Sequence, residues 1–251
     1  MHLLFLGTGT STGVPQIGCR CETCTSIDPC DKRLRASAIL SVDGKNLLID
    51  CGPDFRTQAL TANSPRLDAL LVTHIHYDHV GGIDDLRPYC AGGPFPIYCQ
   101  ADVAVAIKRA VPYCFAKHPY PGVPTFDMHT IEPCVPFEPF PGIEVMPIPV
   151  MHYKMQILGF RVRNFAYITD CKTMCDESFA LLQGVDTLVI NALRHEEHMS
   201  HMNLAQAIEA SRRIGAKHVY FTHMSHQIGP AARLTLPEGM QLAHDFMTID
   251  C

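Results

Sequence analysis

The chain has 251 residues, 47% of them hydrophobic, and a formal net charge of −5. This composition supports a folded core and excludes an intrinsically disordered chain. It gives no global basic field, so we expect no nucleic-acid partner. The apolar start at 1–7 lacks the basic region and length of a secretory signal, and no run approaches transmembrane length, so we expect a cytoplasmic protein without a membrane partner. The twelve cysteines then indicate reduced thiols, some of them metal ligands.

The first predicted strand, residues 2–6, runs into a glycine-rich loop at 7–15. Glycine allows tight turns and close backbone approach, but this loop lacks the Gly-Lys-Ser/Thr ending of a nucleotide-binding P-loop. Two interpretations stay open, a turn packed near a site and a direct contact with substrate.

Three thiols follow within six residues, at Cys19, Cys21 and Cys24. A structural zinc ion takes four ligands in a tetrahedron, and a compact loop with this spacing supplies three of them. The fourth ligand must come from elsewhere, with Cys30 as the near candidate and His226 as the far one. The alternatives are free surface thiols or a disulfide, which would leave the third thiol unpaired.

Asp43-Gly44 separates two alternating runs, residues 38–42 and 45–50, and predicts a β-hairpin. A short helix is expected over residues 57–62. An apolar strand over 67–72 then leads into the densest group of polar residues in the chain.

Four metal-ligating side chains lie within six positions of one another after that strand: His74, His76, Asp78 and His79. Residues two apart on an extended chain point the same way, so His74 and His76 can converge on one ion. Asp78 and His79, past the turn, can face a second ion. Imidazole suits Zn, Mn or Fe, and the added carboxylate suits a hydrolytic ion with an open position.

Beyond the motif we expect a short helix over 84–88 stopped by proline, a strand over 97–99 and a helix over 102–111. Residues 112–141 carry eight of the nineteen prolines with little periodicity. We interpret this segment as a rim over one side of the site. Its aromatic side chains either pack the rim down or stack on a sugar or base.

Polar residues also follow the later predicted strands. The strand 145–150 leads to His152, the hairpin around Arg163-Asn164 ends at Asp170, and the strand 218–222 delivers His223. Strand ends that border one pocket are where ligands are presented.

Between the last two of these strands lies a segment rich in His and Glu, residues 194–202. His195 and His198 in this segment are expected to be solvent-facing. Asn203 with Gln206 predicts a capping box that opens a helix, and Gly215 ends it.

The His-x-His-x-Asp-His motif at 74–79 resembles the signature of the metallo-β-lactamase-fold hydrolases. The resemblance implies a two-metal site completed by a later His, a bridging Asp and a last His, which match His152, Asp170 and His223. It implies a first ion held by His74, His76 and His152, and a second held by Asp78, His79 and His223.

The Gly-Thr-Gly start, the Cys-x-Cys-x-x-Cys loop and the Thr-His-x-Ser-His ending at 222–226 look like the subgroup typified by phosphoribosyl cyclic-phosphate phosphodiesterase. The resemblance implies that His226, rather than Cys30, completes the structural zinc site. It implies that His201 acts beyond the metals, as general acid or transition-state partner. It also implies that Asp50 supports the histidine loop from behind.

We therefore expect an α/β fold, an αβ/βα four-layer sandwich in one domain over 1–251, with a Cys-rich zinc loop at 19–30 and a proline-rich rim at 112–141. The predicted function is a dinuclear-metal-dependent phosphodiesterase with two Zn²⁺ or Mn²⁺ ions and one structural Zn²⁺. Its catalytic residues are His201 and Asp78. The predicted partner is a small phosphodiester, such as a cyclic phosphate on ribose.

Three other functions stay open: a transfer-RNA 3′-processing nuclease, a pyrroloquinoline quinone biosynthesis protein of similar fold, and a non-enzymatic zinc-stabilised binding protein. The nuclease needs a long basic arm, which this acidic chain does not supply. The sequence also leaves a homodimer open.

Overall fold

The computed structural model describes residues 1–118 and 120–251; Pro119, inside the predicted rim, lies outside the described residues. The strands are β1 His2–Gly7, β2 Ser37–Val42, β3 Lys45–Ile49, β4 Ala69–Leu71, β5 Phe95–Cys99, β6 Phe126–Thr130, β7 Phe137–Phe140, β8 Ile143–His152, β9 Met155–Val162, β10 Phe165–Ile168, β11 Thr187–Asn191, β12 His218–Thr222, β13 Met240–Leu242 and β14 Thr248–Asp250. The α-helices are α1 Glu22–Thr25, α2 Phe55–Thr61, α3 Tyr77–Val80, α4 Ala101–Ala110, α5 Asp176–Leu181 and α6 Leu204–Ile214. Short 3₁₀ helices span Pro29–Asp31, Ile83–Gly92, Pro112–Phe115, His226–Ile228 and Ala231–Arg233.

The strands form two seven-stranded sheets, in the orders β14-β1-β2-β3-β4-β5-β6 and β13-β12-β11-β10-β9-β8-β7. Both sheets are mixed. Pairing is parallel from β3 to β6 and from β10 to β13, and antiparallel elsewhere. In α/β sheets, ligands bind outside the carboxyl ends of the parallel strands. Asp50, the motif 74–79, Asp170 and His223 follow such strands, β3, β4, β10 and β12, whereas His152 ends the antiparallel strand β8.

The four layers follow from the two-residue period of the strands. In β11, Val189 belongs to a core cluster shared by both sheets, whereas Leu188 and Ile190 belong to a second cluster that includes Leu204 and Ala207 of α6. A third cluster packs the outer face of the first sheet against α2 and α4. The predicted αβ/βα sandwich is therefore confirmed, and because the central core draws on both sheets we propose one domain.

Patterns of neighbouring residues in the sequence predicted a turn and both ends of a helix correctly. Asp43 and Gly44 both have positive φ, 48° and 77°, in the turn between β2 and β3, as a two-residue hairpin requires. Asn203 caps α6, with its side chain accepting from the Gln206 backbone N–H and the full capping box formed. Gly215 ends the helix in the left-handed conformation.

Two predictions made around prolines are wrong. The helical segment predicted over 84–88 continues through Pro88 to Gly92 as a 3₁₀ helix, because such short turns lose only one backbone bond to a proline. The segment 112–141 is not irregular throughout, since it supplies β6 and β7, the edge strands of the two sheets; its placement as a rim over the site stays a prediction. Edge strands tolerate proline because one side of their backbone needs no partner.

Two further features concern the chain as a whole. No helix among the described residues is long and apolar enough to cross a membrane. All twelve cysteines are free thiols in the part of the chain described.

The C-terminal strands β13 and β14 are not predicted from the sequence. Each is the edge strand of one sheet.

Candidate active site

The candidate site lies where strands of both sheets end. Asp50 follows β3, Asp170 lies two residues after β10 and His223 follows β12; their φ values are 59°, 54° and 54°. Such left-handed conformations cost roughly 1–3 kcal/mol each and cluster at functional sites, where the surrounding structure holds them. Each of these three residues lies in the turn that follows its strand, at the edge of the pocket.

One group combines Asp78, His79, Asp170 and His223, whose ligand atoms all lie within 4.8 Å of one another. His79 Nε2 lies 3.2 Å from an oxygen of Asp78 and 3.2 Å from an oxygen of Asp170. His223 Nε2 lies 3.2 Å from the other oxygen of Asp170. The structure thus brings together the ligands predicted for the second ion and the predicted bridging carboxylate.

The donor atoms of this pocket fit a cation. Both ring nitrogens of His223 and Nε2 of His74 are buried without a hydrogen-bond partner among the residues that the structure describes. His223 Nε2 makes no hydrogen bond even though Asp170 is 3.2 Å away. Buried polar atoms without partners are costly, and imidazole lone pairs that converge with carboxylate oxygens are the donor set of a divalent transition-metal ion.

Hydrogen bonds behind the pocket fix the tautomers of two histidines. Asp50 Oδ2 accepts from His79 Nδ1 at 2.7 Å and from the Thr73 hydroxyl at 2.8 Å. His152 Nδ1 donates to the backbone carbonyl of Asp170 at 2.8 Å. In the neutral form of either ring, Nε2 is therefore the nitrogen that offers its lone pair to a metal ion. Asp50 holds the histidine loop from behind, as predicted.

The grouping around the first predicted ion differs in part from the prediction. The rings of His74, His76 and His152 are neighbours, with centroids 4.6 to 5.6 Å apart. The tighter group, with ligand atoms within 4.8 Å, is His152, Asp170 and His201. His201 Nε2 lies 2.9 Å from Asp170 Oδ1. His201, predicted to act beyond the metals, therefore directly contacts the carboxylate predicted to bridge them.

The outer side of His201 contacts residues that sequence reasoning did not assign to the site. His201 Nδ1 lies 2.9 Å from the Ser200 hydroxyl and 3.1 Å from His198 Nδ1. His198, expected to face solvent, is partly buried, so that prediction is wrong. His195 is exposed as expected, and its ring bonds the backbone carbonyl of Ile228. The signal that pointed to Ser200 and His198 was the density of His and Glu before α6.

The electrostatics of the pocket favour a bound cation. Burial opposes ionisation of Asp170, but His223 and His79 together hold its pKa well below its usual value. Burial likewise opposes charge on His79, yet Asp170 and Asp50 raise the pKa of that ring well above its usual value. The negative charges of the Asp170 and Asp50 carboxylates would also stabilise a metal ion. Burial lowers the pKa of His74 strongly and that of His201 to about 4, so both rings are neutral at pH 7.

A second cluster joins the N-terminal loop to the turn after β12. Cys19, Cys21, Cys24 and His226 place their ligand atoms within 4.8 Å of one another, and Cys30 is not in the group. His226 Nδ1 lies 3.4 Å from Cys19 Sγ and 3.1 Å from Cys21 Sγ. The hydrogen bond to His226 lowers the pKa of Cys21 to about 6, and burial raises that of Cys24 to about 11. Three thiols and one imidazole match a structural zinc site.

Serine at Cys24, or alanine at His226, is expected to remove one zinc ion per chain. The melting temperature should then fall by roughly 5 °C or more, because a structural ion contributes folding free energy and 1 kcal/mol shifts Tm by about 2–4 °C in chains of this size. Metal analysis and thermal denaturation measure both effects. Cys30→Ser is the matched control and should retain the ion; zinc lost only from that variant would contradict the cluster.

The fold and the His/Asp pocket define a metal-dependent hydrolase of the metallo-β-lactamase fold, and the family model for the Beta-lactamase superfamily domain matches residues 45–224. The crystal structure of a new diphosphatase from the PhnP family superposes with a TM-score of 0.91, at 39% identity, over 100% of this chain and 97% of that one. The chain therefore belongs to the PhnP family of the beta-lactamase superfamily. This confirms the resemblance found in the sequence.

Other relatives are more distant or only partly aligned. An octanoyltransferase of Porphyromonas gingivalis is 42% identical over 228 residues, which are 90% of this chain and 46% of that protein. This chain thus spans about half the length of that relative. Zn²⁺-bound PqqB from Methylobacterium extorquens has a TM-score of 0.81 at 23% identity, covering 100% of both chains. The short form of human tRNase Z has a TM-score of 0.76 at 21% identity, covering 100% of this chain and 99% of that one. The last two show the fold alone.

Proposed function

We propose that the chain is a metal-dependent phosphodiesterase acting on small phosphodiesters, such as a cyclic phosphate on ribose. The observation that carries the proposal is the position of Asp170, which belongs to both ligand groups of the pocket. A carboxylate shared between two neighbouring ligand groups is the arrangement that two-metal hydrolysis of phosphate esters needs.

The proposed ligands are those predicted from the sequence. His74, His76 and His152 would hold one ion, Asp78, His79 and His223 the other, with Asp170 between them. Bound divalent ions would supply a water of lowered pKa and neutralise charge that develops at phosphorus. Zn²⁺ and Mn²⁺ both suit this mixture of imidazole and carboxylate.

The protein's own contribution is to orient these groups and to assist the leaving oxygen. Asp50 and the Asp170 carbonyl hold the rings of His79 and His152 in one tautomer. His201 is 9% exposed, and its pKa of about 4 makes the ring neutral at pH 7. We therefore assign it the role of a hydrogen-bond donor to the leaving oxygen, rather than that of an imidazolium acid.

A second candidate, hydrolysis of a diphosphate, is favoured by the PhnP-family diphosphatase that matches the whole chain. Both reactions displace an oxygen from phosphorus and would use the same pocket. The nuclease has less support, because the net charge of −5 supplies no basic surface for a long RNA. A cytoplasmic location and a homodimer remain predictions from the sequence.

The test is a substrate panel assayed with Mn²⁺ or Zn²⁺ and again after chelation. We expect hydrolysis of bis-p-nitrophenyl phosphate and of small cyclic phosphodiesters that disappears when the metal is removed. A diphosphate in the same panel decides between the two candidates. Cleavage of a pre-tRNA 3′ trailer, combined with inertness toward every small substrate, would reject the proposal in favour of the nuclease.

A further inference from the structure

A buried amide lies behind the strand ends that carry the candidate ligands. Asn191 is the last residue of β11 and is fully buried. Strand β11 lies between β10, which leads to Asp170, and β12, which leads to His223. The ligands proposed above do not include this amide, although it lies on the strand between two of them.

The amide holds both backbone groups of Cys171, the residue after Asp170. Asn191 Oδ1 accepts from the Cys171 N–H at 2.7 Å, and Asn191 Nδ2 donates to the Cys171 carbonyl at 3.0 Å. A backbone N–H only donates and a carbonyl only accepts, so these two bonds fix the orientation of the amide. They hold the backbone directly beside Asp170, whose φ of 54° needs such support.

The peptide group that joins Asp170 to Cys171 links Asn191 to His152. Its N–H, on Cys171, donates to Asn191, and its carbonyl, on Asp170, accepts from His152 Nδ1 at 2.8 Å. The peptide group is planar, so its N–H and its carbonyl cannot turn independently. Loss of the bond to Asn191 would therefore release the carbonyl that selects the tautomer of His152.

The carbonyl of Cys171 also connects Asp170 to the loop of His201. It accepts from the Met202 N–H at 2.8 Å as well as from Asn191. Met202 directly follows His201, whose Nε2 lies 2.9 Å from Asp170 Oδ1. One carbonyl thus ties the backbone beside His201 to the backbone beside Asp170, and Asn191 holds that carbonyl in place.

We propose that Asn191 is a positioning residue for the metal pocket and acts on it through the backbone of Cys171. The side chains that depend on it are those of Asp170, His152 and His201. Outer partners of metal ligands typically contribute 10–100-fold to metal affinity or activity. The inference rests on the metal ligands of the proposed function and adds a residue that holds three of the pocket's groups in register.

The experiment compares Asn191→Ala with Asn191→Leu. Both variants lose the two hydrogen bonds, but leucine nearly keeps the side-chain volume, so the pair separates lost bonds from an added cavity. In both, the dissociation constant of the pocket for Zn²⁺, measured by chelator competition on protein that keeps its structural zinc ion, should rise by roughly 10–100-fold. Asn46→Ala is the matched control and should keep the native constant, because the Asn46 amide also donates to a backbone carbonyl, that of Arg66, but at the start of β3.

A spectroscopic measurement tests the same inference before the pocket is loaded with metal. In the native protein, ¹⁵N resonances of the His152 ring should report the tautomer with the proton on Nδ1. Both Asn191 variants should show a mixture of tautomers, whereas Asn46→Ala should not. A merely structural amide would lower the melting temperature and leave both the tautomer and the dissociation constant unchanged.

A native dissociation constant and a native His152 tautomer in both variants would therefore overturn the inference. Effects confined to Asn191→Ala would also overturn it, because they would identify the cavity as the cause. Neither measurement needs a substrate. Absence of hydrolysis of any phosphate ester by the native protein would instead reject the proposed function, and the two failures are thus distinguishable.

Discussion

Replacement of Asp170 by asparagine is expected to lower kcat/KM by more than roughly 10²-fold, beyond the 10–100-fold cost of losing an outer partner of a metal ligand. Asp170 is buried and belongs to both ligand groups. A neutral amide of the same shape cannot hold two cations together. Its NH₂ group would also direct a hydrogen-bond donor toward the side chains that should bind the metal ions. Turnover of bis-p-nitrophenyl phosphate and metal content per chain are the measurements.

The fold should survive this change because the amide has nearly the same volume as the carboxylate. Asp68→Asn is the matched control, since Asp68 bonds Lys45 and Asn46 away from the pocket. It should retain activity and metal. Turnover near that of the native protein in Asp170→Asn would refute the two-metal assignment.

Replacement of His201 by alanine should lower kcat by roughly 10²-fold or more, the scale for one catalytic hydrogen-bond donor or proton-transfer group. Metal content should stay unchanged. Loss of metal would instead identify His201 as a ligand, a role that its 2.9 Å contact with Asp170 also permits. His218→Ala, at the exposed start of β12, is the control.

The pH profile separates the two ways in which His201 could assist the leaving oxygen. Its pKa, lowered to about 4 chiefly by burial, leaves the ring neutral above that pH. A neutral donor keeps kcat level as pH rises from 6 to 8. A decline of kcat over that range, absent from His201→Ala, would show that the charged imidazolium is the active form.

The elements predicted best are those governed by neighbouring residues. The Asp43-Gly44 turn and the Asn203–Gln206 capping box depend on backbone conformations that a few side chains decide. The strands β6, β13 and β14 depend on partners that are not adjacent in sequence; β14, for example, pairs with β1 at the other end of the described chain. Prolines in the segment 112–141 also concealed two strands, because the sequence does not show which strands lie at an edge.

The features of the candidate site also fall into two groups: those that the sequence predicts and those that depend on how distant parts of the chain fold together. The spacing of the motif and the order of polar residues after later strands identified the residues that the structure brings into the pocket. The contact of His201 with Asp170, and those of Ser200 and His198 with His201, depend on how the loop before α6 folds over the site. The left-handed backbone at Asp170 and His223 was equally hidden, since neither residue type requires it.

The candidate ligands come from both sheets, and this has a consequence for the stability of the protein. Asp78 and His79 come from the first sheet, and Asp170 and His223 from the second. An ion held by all four is a cross-link between the halves of the sandwich, added after the chain has folded. Loading the pocket at about 100 times the dissociation constant would stabilise the native state by about 2.7 kcal/mol. Amide exchange at the ends of β4 and β12 should slow together on loading, since both ends would then open only when the ion leaves.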